Sequence, residues 1–254
     1  MDNRLITTLL PAFVTVPAAS FRMGTPESDL SGLAKAYGGT RESYREETPQ
    51  HDVTLVSYAI ATAPVSNALY AAFVSQTGTS APMNWRGPQP SDSSHQHPVV
   101  DVSWEDAQAF CTWLRDRTGQ VYRLPTEAEW EHAARGVDGC IFPWGNEWEP
   151  TLANTRDSGP GRTTTPETYP QGASPYGCLD MAGNVWEWTA SLDALYPYDP
   201  HDGREDVTAT GRRILRGGCY ANPQGFARCA CRFRLPPVTR NEFLGFRLAQ
   251  SLST

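Results

Sequence analysis

No stretch of this 254-residue sequence holds the roughly 18 consecutive apolar residues that a membrane-crossing helix needs. A helical span is excluded at the outset. No pair of its six cysteines, at 111, 140, 178, 219, 229 and 231, has the C-x-x-C spacing of a zinc knuckle or a thioredoxin-like site. Charge is sparse: Asp, Glu, Lys and Arg make up 19% of residues, and the net charge is −7. That balance argues against a general nucleic-acid binder. The apolar run after Arg4, Leu-Ile-Thr-Thr-Leu-Leu-Pro-Ala-Phe-Val, is broken by prolines and threonines. It makes a poor signal peptide, although Ala18-Ala19-Ser20 faintly resembles a cleavage site. Free, mostly buried thiols in a reducing, cytoplasmic compartment are therefore the expectation.

What is abundant is turn chemistry. The chain carries 21 Gly, 21 Pro and eight Trp, with 39% apolar residues to build a core. Its length suits one large domain or two small ones, rich in loops and unlike a helical bundle. Phe13–Val16 and Ser20–Met23 read as two strands about a Pro-Ala-Ala turn. Residues 24–50 read as a long polar surface loop. Alternation resumes from His51 to Ile60, with Val53 and Leu55 on one face. Three helices are expected, near 66–77, 103–118 and 126–135. Ser66 opens the first, Ser103 with Asp106 caps the second, and Thr126 with Glu129 caps the third; Gly78, Gly119 and Gly136 end them. Glu127, Glu129 and Glu131 suit the positive end of the last helix better than catalysis. His95 and His97 lie in a Ser/Gln/Pro loop with no further ligand in phase, which argues against a metal there.

Beyond residue 136 regular periodicity stops, and Trp, Gly, Asn and Asp crowd the chain. Long irregular segments need tethers. Asn184 and Glu187 offer hard oxygen ligands of the kind Ca2+ takes, with Asn154 a weaker candidate. The alternative is that Asn184 only turns the chain and Glu187 pairs with an arginine. The stretch from Arg213 to Gln250 keeps changing chemical character, with arginines at 216, 228, 232, 234, 240 and 247 among aromatic and aliphatic residues. That mix suits a recognition surface on a rigid frame. The contact residues expected are Tyr220, Asn222, Phe226, Phe233, Leu235, Val238, Thr239 and Phe243, with arginines between them. Arg216 and Arg247 are expected to be structural, and Trp144, Trp186 and Trp188 to lie in the core.

Six motifs occur in order: His97-Pro-Val-Val-Asp-Val-Ser-Trp-Glu-Asp-Ala, Arg123-Leu-Pro-Thr-Glu-Ala-Glu-Trp-Glu, Phe142-Pro-Trp-Gly, Asp180-Met-Ala-Gly-Asn-Val-Trp-Glu-Trp, Leu215-Arg-Gly-Gly and Gly245-Phe-Arg. Together, over about residues 13–249, they resemble the formylglycine-generating-enzyme (sulfatase-modifying factor) family. The resemblance implies an α+β, C-type-lectin-like fold with a small antiparallel sheet, two to three helices and much irregular backbone. It also implies one domain over residues 1–254. Enzymes of that family oxidise a sulfatase cysteine with a copper-binding cysteine pair, which should fall near Asn222 and Phe226. This chain has Asn and Phe there. Cys219 is too early, and Cys229 and Cys231 are too late and too close together. Thiolates are the soft ligands Cu(I) requires, so copper is not expected, and catalysis is doubtful. The histidine-bearing helical domain of the iron-dependent sulfoxide synthases is also absent.

A second resemblance is to the variable proteins of diversity-generating retroelements. These rewrite such a C-terminal stretch, here 213–247, by adenine-directed mutagenesis. Asn222 and Asn241 match unmutated AAC codons. Tyr220, Ala221, Gly225, Phe226, Phe233, Leu235, Val238 and Thr239 are reachable from AAC through adenines alone. Glu242 is not. The expectation is a display protein that binds a protein or other macromolecule. The alternative is an oxidoreductase of the wider family using non-standard residues such as Cys219 or Cys229.

Overall fold

The computed structural model describes residues 3–252 and opens with helix α1 (Asn3–Leu9), followed by strands β1 (Phe13–Val16) and β2 (Ala19–Met23). Next come helix α2 (Leu30–Tyr37), strands β3 (His51–Leu55) and β4 (Tyr58–Ala61), and helices α3 (Asn67–Thr77), α4 (Trp104–Thr118) and α5 (Glu127–Arg135). After a long irregular stretch the chain finishes with β5 (Trp186–Leu192), β6 (Arg213–Arg216), β7 (Phe233–Leu235), β8 (Leu244–Gly245) and β9 (Ala249–Ser251).

The three expected helices form where their caps place them. The Ser66 side chain accepts from Leu69 N, and the Ser103/Asp106 and Thr126/Glu129 boxes are both closed. Tyr70 and Phe73 of α3 meet Phe110 and Trp113 of α4. The Tyr70 and Phe110 rings stack at 5.7 Å, and Phe246 closes the cluster edge-on. These rings are buried and form the centre of the main core.

The strands make three small sheets. In the first, β4 lies between β1 and β9, antiparallel to both, so the first and last strands share one partner. In the second, β2 pairs with β3. The third runs β7-β6-β5-β8, with a parallel pair between β5 and β8. Small sheets and much irregular backbone are the α+β arrangement expected, but three sheets form rather than one, the third is mixed rather than antiparallel, and five helices are present among the described residues rather than two or three.

The two strands expected about the Pro-Ala-Ala turn are present as β1 and β2, paired with β4 and β3 respectively. One further reading is corrected. Residues 24–50 are not simply a loop. Helix α2 and a seven-residue 3-10 segment (Arg41–Glu47) fold there around Leu30, Leu33 and Tyr44. Among the described residues, no helix is long and apolar enough to cross a membrane.

Candidate functional site

The segment after β6 is held from beneath by arginines. Arg216, fully buried, donates to Glu127 at 2.9 Å and pairs with Glu131 at 3.0 Å. Arg232 donates to both Glu127 oxygens at 2.8 and 3.0 Å. Arg228 holds Glu47 with two bonds of 2.7 and 2.5 Å, joining the segment to the chain beyond α2. Burial pushes the Glu127 carboxyl up, but Arg232 and Arg216 outweigh it, and its pKa sits below the ordinary range. The three acids at the start of α5 are thus a socket: Glu129 takes Arg123 at 2.6 Å and Glu131 takes Arg135 at 2.7 Å.

This changes the reading of the arginines. They were expected to stand between contact residues on the surface. Arg228 and Arg232 are buried instead, whereas Arg240 is exposed as expected and pairs with Asp106, and the half-buried Arg234 pairs with Glu46 and Asp193. Arg216 and Arg247 are structural as expected, both fully buried.

The ends of the segment are set by close approach. Gly218 has φ +74°, and a Cβ there would sit 2.8 Å from the Phe226 carbonyl oxygen. A Cβ on Gly245 would sit 2.6 Å from the Val99 carbonyl oxygen. Between these points the chain rims a groove of about 280 Å³. Asn222, Phe226, Phe233, Leu235 and Phe243 line it, as do Trp186, Cys219 and Asn241. Phe226 is 41% exposed and Phe233 39%. The Trp186 ring lies 5.3 Å from Phe233 at 32°, and 6.3 Å from Phe226 nearly edge-on. At the floor, Asn222 Oδ1 accepts from Trp186 Nε1 at 2.8 Å, from Cys219 N at 3.2 Å and from the Cys219 thiol at 3.1 Å.

Five of the eight expected contact residues therefore meet in one groove. Tyr220 lies beside it, its ring 5.4 Å from Phe243, with burial pushing the phenol up to about 12. Val238 and Thr239 sit on the neighbouring loop outside the groove, Val238 62% exposed. Trp186 was expected in the core. It is buried, but it also forms a groove wall, because it begins β5 at the end of the sheet. Trp188 is fully buried as expected, whereas Trp144 is only half-buried against Phe142 and Trp148.

All six cysteines are free, and only Cys140 is not fully buried. Burial pushes the Cys229 and Cys231 thiols up to about 12 and raises Cys219 as well. None of these three is poised as a thiolate.

The candidate metal residues are buried together but not alike. Glu187 gives both oxygens to Arg247, at 2.6 Å each, and accepts from Trp130 Nε1 at 2.8 Å. The arginine pair expected of it as the alternative reading is present. Asn184, at φ +61°, turns the chain, accepts from Asn154 Nδ2 and Thr164 N, and donates to Thr164 O and Asp180 Oδ2. Asn154 Oδ1 is buried with no hydrogen-bond partner among the described residues.

Comparison with known proteins gives these residues a setting. The family model described as "Sulfatase-modifying factor enzyme 1-like domain" matches residues 4–252. The chain is 29% identical to the formylglycine-generating enzyme of Mus musculus, over 94% of this chain and 75% of that protein. Among solved structures it resembles PvdO from Pseudomonas aeruginosa, with TM-score 0.74, 28% identity and 95% of each chain covered. It also resembles variable protein 1 of Treponema denticola, with TM-score 0.74, 24% identity and 94% of each chain covered, a likeness of fold.

Proposed function

Because the chain belongs to the sulfatase-modifying factor enzyme 1-like family, we propose that it is a ligand-binding member, with the groove between Cys219 and Phe243 as its display surface for a protein. The observation that carries this reading is a division of labour within one segment. The side chains turned inward are arginines and small residues that carry the fold. The side chains turned outward, Phe226, Phe233 and Val238, are large and apolar and between 39% and 62% exposed. Exposed aromatics over a separately held frame are the chemistry of an interaction hot spot. Copper-dependent oxidation is set aside on ligand chemistry: Asn222 and Phe226 occupy the positions where the resemblance places thiols, and burial holds the nearby cysteines as neutral thiols.

A calcium ion enters the proposal in reduced form. The unpartnered Asn154 Oδ1 offers a hard oxygen donor, and the same side chain is joined through its Nδ2 to Asn184 Oδ1, whose Nδ2 in turn reaches the Asp180 carboxylate. Glu187, committed to Arg247, is left out. Such an ion would fix the irregular chain around residues 153–184.

The test of the display reading is a library that randomises Tyr220, Phe226, Phe233, Leu235, Val238 and Thr239 together. Most members are expected to keep one cooperative melting transition near that of the parent. Loss of folding in most members would show that these side chains are core and overturn the reading. In a companion assay with copper, oxygen and a cysteine-bearing sulfatase peptide, mass spectrometry should find the cysteine unchanged. Its conversion to an aldehyde would overturn the reading too.

A further inference from the structure

The protein handles its own cations in one recurrent way. Arg204 lies over Tyr198 at 4.8 Å, Arg213 over Trp104 at 4.1 Å, Arg228 over Tyr44 at 4.7 Å and Arg232 over Tyr196 at 4.3 Å. Each is a guanidinium set on the electron-rich face of a ring. The groove gathers four more rings, those of Trp186, Phe226, Phe233 and Phe243. Among the described residues, none of these four has a cation over it. No Lys or Arg lines the groove either. Glu242 is exposed and stands in sequence between two lining residues, Asn241 and Phe243. Its negative charge acts on both Tyr220 and Cys219.

Resting on the display reading above, we infer that the groove takes a lysine side chain of a partner protein, its stem against the phenylalanines and its ammonium directed toward Glu242. Four features fit that occupant. The walls are aromatic and aliphatic, which matches a four-carbon stem that buries while its charged head stays wet. Glu242, exposed and next in the chain to two lining residues, supplies a carboxylate, and the walls carry no competing cation. The chain as a whole is at −7, which draws a basic partner surface toward it. The floor oxygen, Asn222 Oδ1, already accepts three hydrogen bonds. With that oxygen taken, the acceptor left for a head group is the Glu242 carboxylate, which serves the three donors of an ammonium at a wet edge better than the five of a guanidinium.

The probes are N-acetyl amides of lysine, norleucine, arginine and glutamate, titrated against the whole protein while the Trp186 indole N–H resonance is followed by NMR. Norleucine has the lysine stem without the ammonium. Lysine is expected to give a saturable shift, with norleucine weaker by about two- to fivefold and arginine weaker than lysine, as one wet ion pair with Glu242 allows. Glu242→Gln and Phe233→Leu, both at exposed positions, should each weaken lysine binding roughly two- to fivefold while leaving norleucine binding nearly unchanged for Glu242→Gln. Norleucine binding as tightly as lysine would make the groove simply apolar and overturn the inference. So would a preference for arginine or glutamate, or no saturable response to lysine. None of these outcomes bears on whether the randomised library folds, so the display reading stands or falls separately.

Discussion

Glu205 is a side chain whose burial has a measurable pH signature. One of its oxygens accepts from Ser191 at 2.6 Å and from Tyr198 at 2.8 Å, and the other is buried with no partner among the described residues. Burial pushes this carboxyl from the usual 4.5 up to about 7. The folded protein thus holds the proton more tightly than the unfolded chain does. The resulting stabilisation is complete below the unfolded value and is lost as pH rises through about 7. Glu205→Gln keeps the shape without the titration. The melting temperature of the variant should therefore gain on that of the parent between pH 4.5 and 7, by at most about 1.4 kcal/mol per pH unit crossed. His132 works in the opposite sense: burial lowers it to about 4, so its neutral form costs stability as pH falls below 6.5. It is common to both proteins and cancels in the comparison. A difference in melting temperature that does not change with pH would refute the assignment to Glu205.

At the scale of elements, helix α5 is the anchor of the C-terminal segment. Its first turn presents Glu127 to Arg204, Arg216 and Arg232 at once. Removing one partner of a buried ion pair strands the other, at a cost of about 3–5 kcal/mol. Among the described residues Glu47 pairs with no arginine but Arg228, so Arg228→Ala should lower stability by that order in a denaturant titration. Phe226→Ala and Phe233→Ala, at half-open positions, should each cost about 1 kcal/mol or less. Equal losses for the arginine and the phenylalanines would erase the distinction between frame and surface. This helix also shows what was legible in the sequence. Its start, its end and its capping box were readable because Thr126, Glu129 and Gly136 act within a few residues of one another. The role of its acids was not, since the partners of Glu127 lie about 90 and 105 residues away, and at that distance an acid near a helix start looks like a dipole complement. Arg228 and Arg232 were misplaced for the same reason: nothing local tells a surface guanidinium from one paired with Glu47 or Glu127. Helix α2 was hidden by its polar flanks and an internal Gly32, although Leu30, Leu33, Ala34 and Tyr37 repeat at helical spacing. The groove was readable as a stretch but not as a shape, because Trp186 reaches it from a different strand.

At the scale of the whole molecule, the irregular chain between α5 and β5 is the longest described stretch with no α-helix or strand. The proposed ion at Asn154, Asn184 and Asp180 would be one of its fasteners. Added calcium should then raise the melting temperature and a chelator lower it, with Asn154→Ala abolishing both effects. No response to either in the parent protein would remove calcium from the proposal. The fold beyond that stretch is tied together by long-range pairing: β5 joins β6 and β8, and Arg247 near the C-terminus reaches Glu187 on β5.

The sheet in which β4 separates β1 from β9 has a consequence for how the molecule can be handled. Phe13 pairs with Ala61, and Ser251 pairs with Tyr58. The two residues are thus two strand spacings apart across the sheet and three residues apart along it, a gap of about 14 Å. Because β4 lies between them and is buried at all four positions, a bridge has to pass round its end and needs more than the roughly five residues of the straight line. From Phe13 to Ser251 the chain is in effect a closed ring with one short gap. It could be spliced as a single insert into a loop of another protein, or rejoined and reopened at a surface turn. In either case the groove would keep its walls, since none of them comes from β1 or β9.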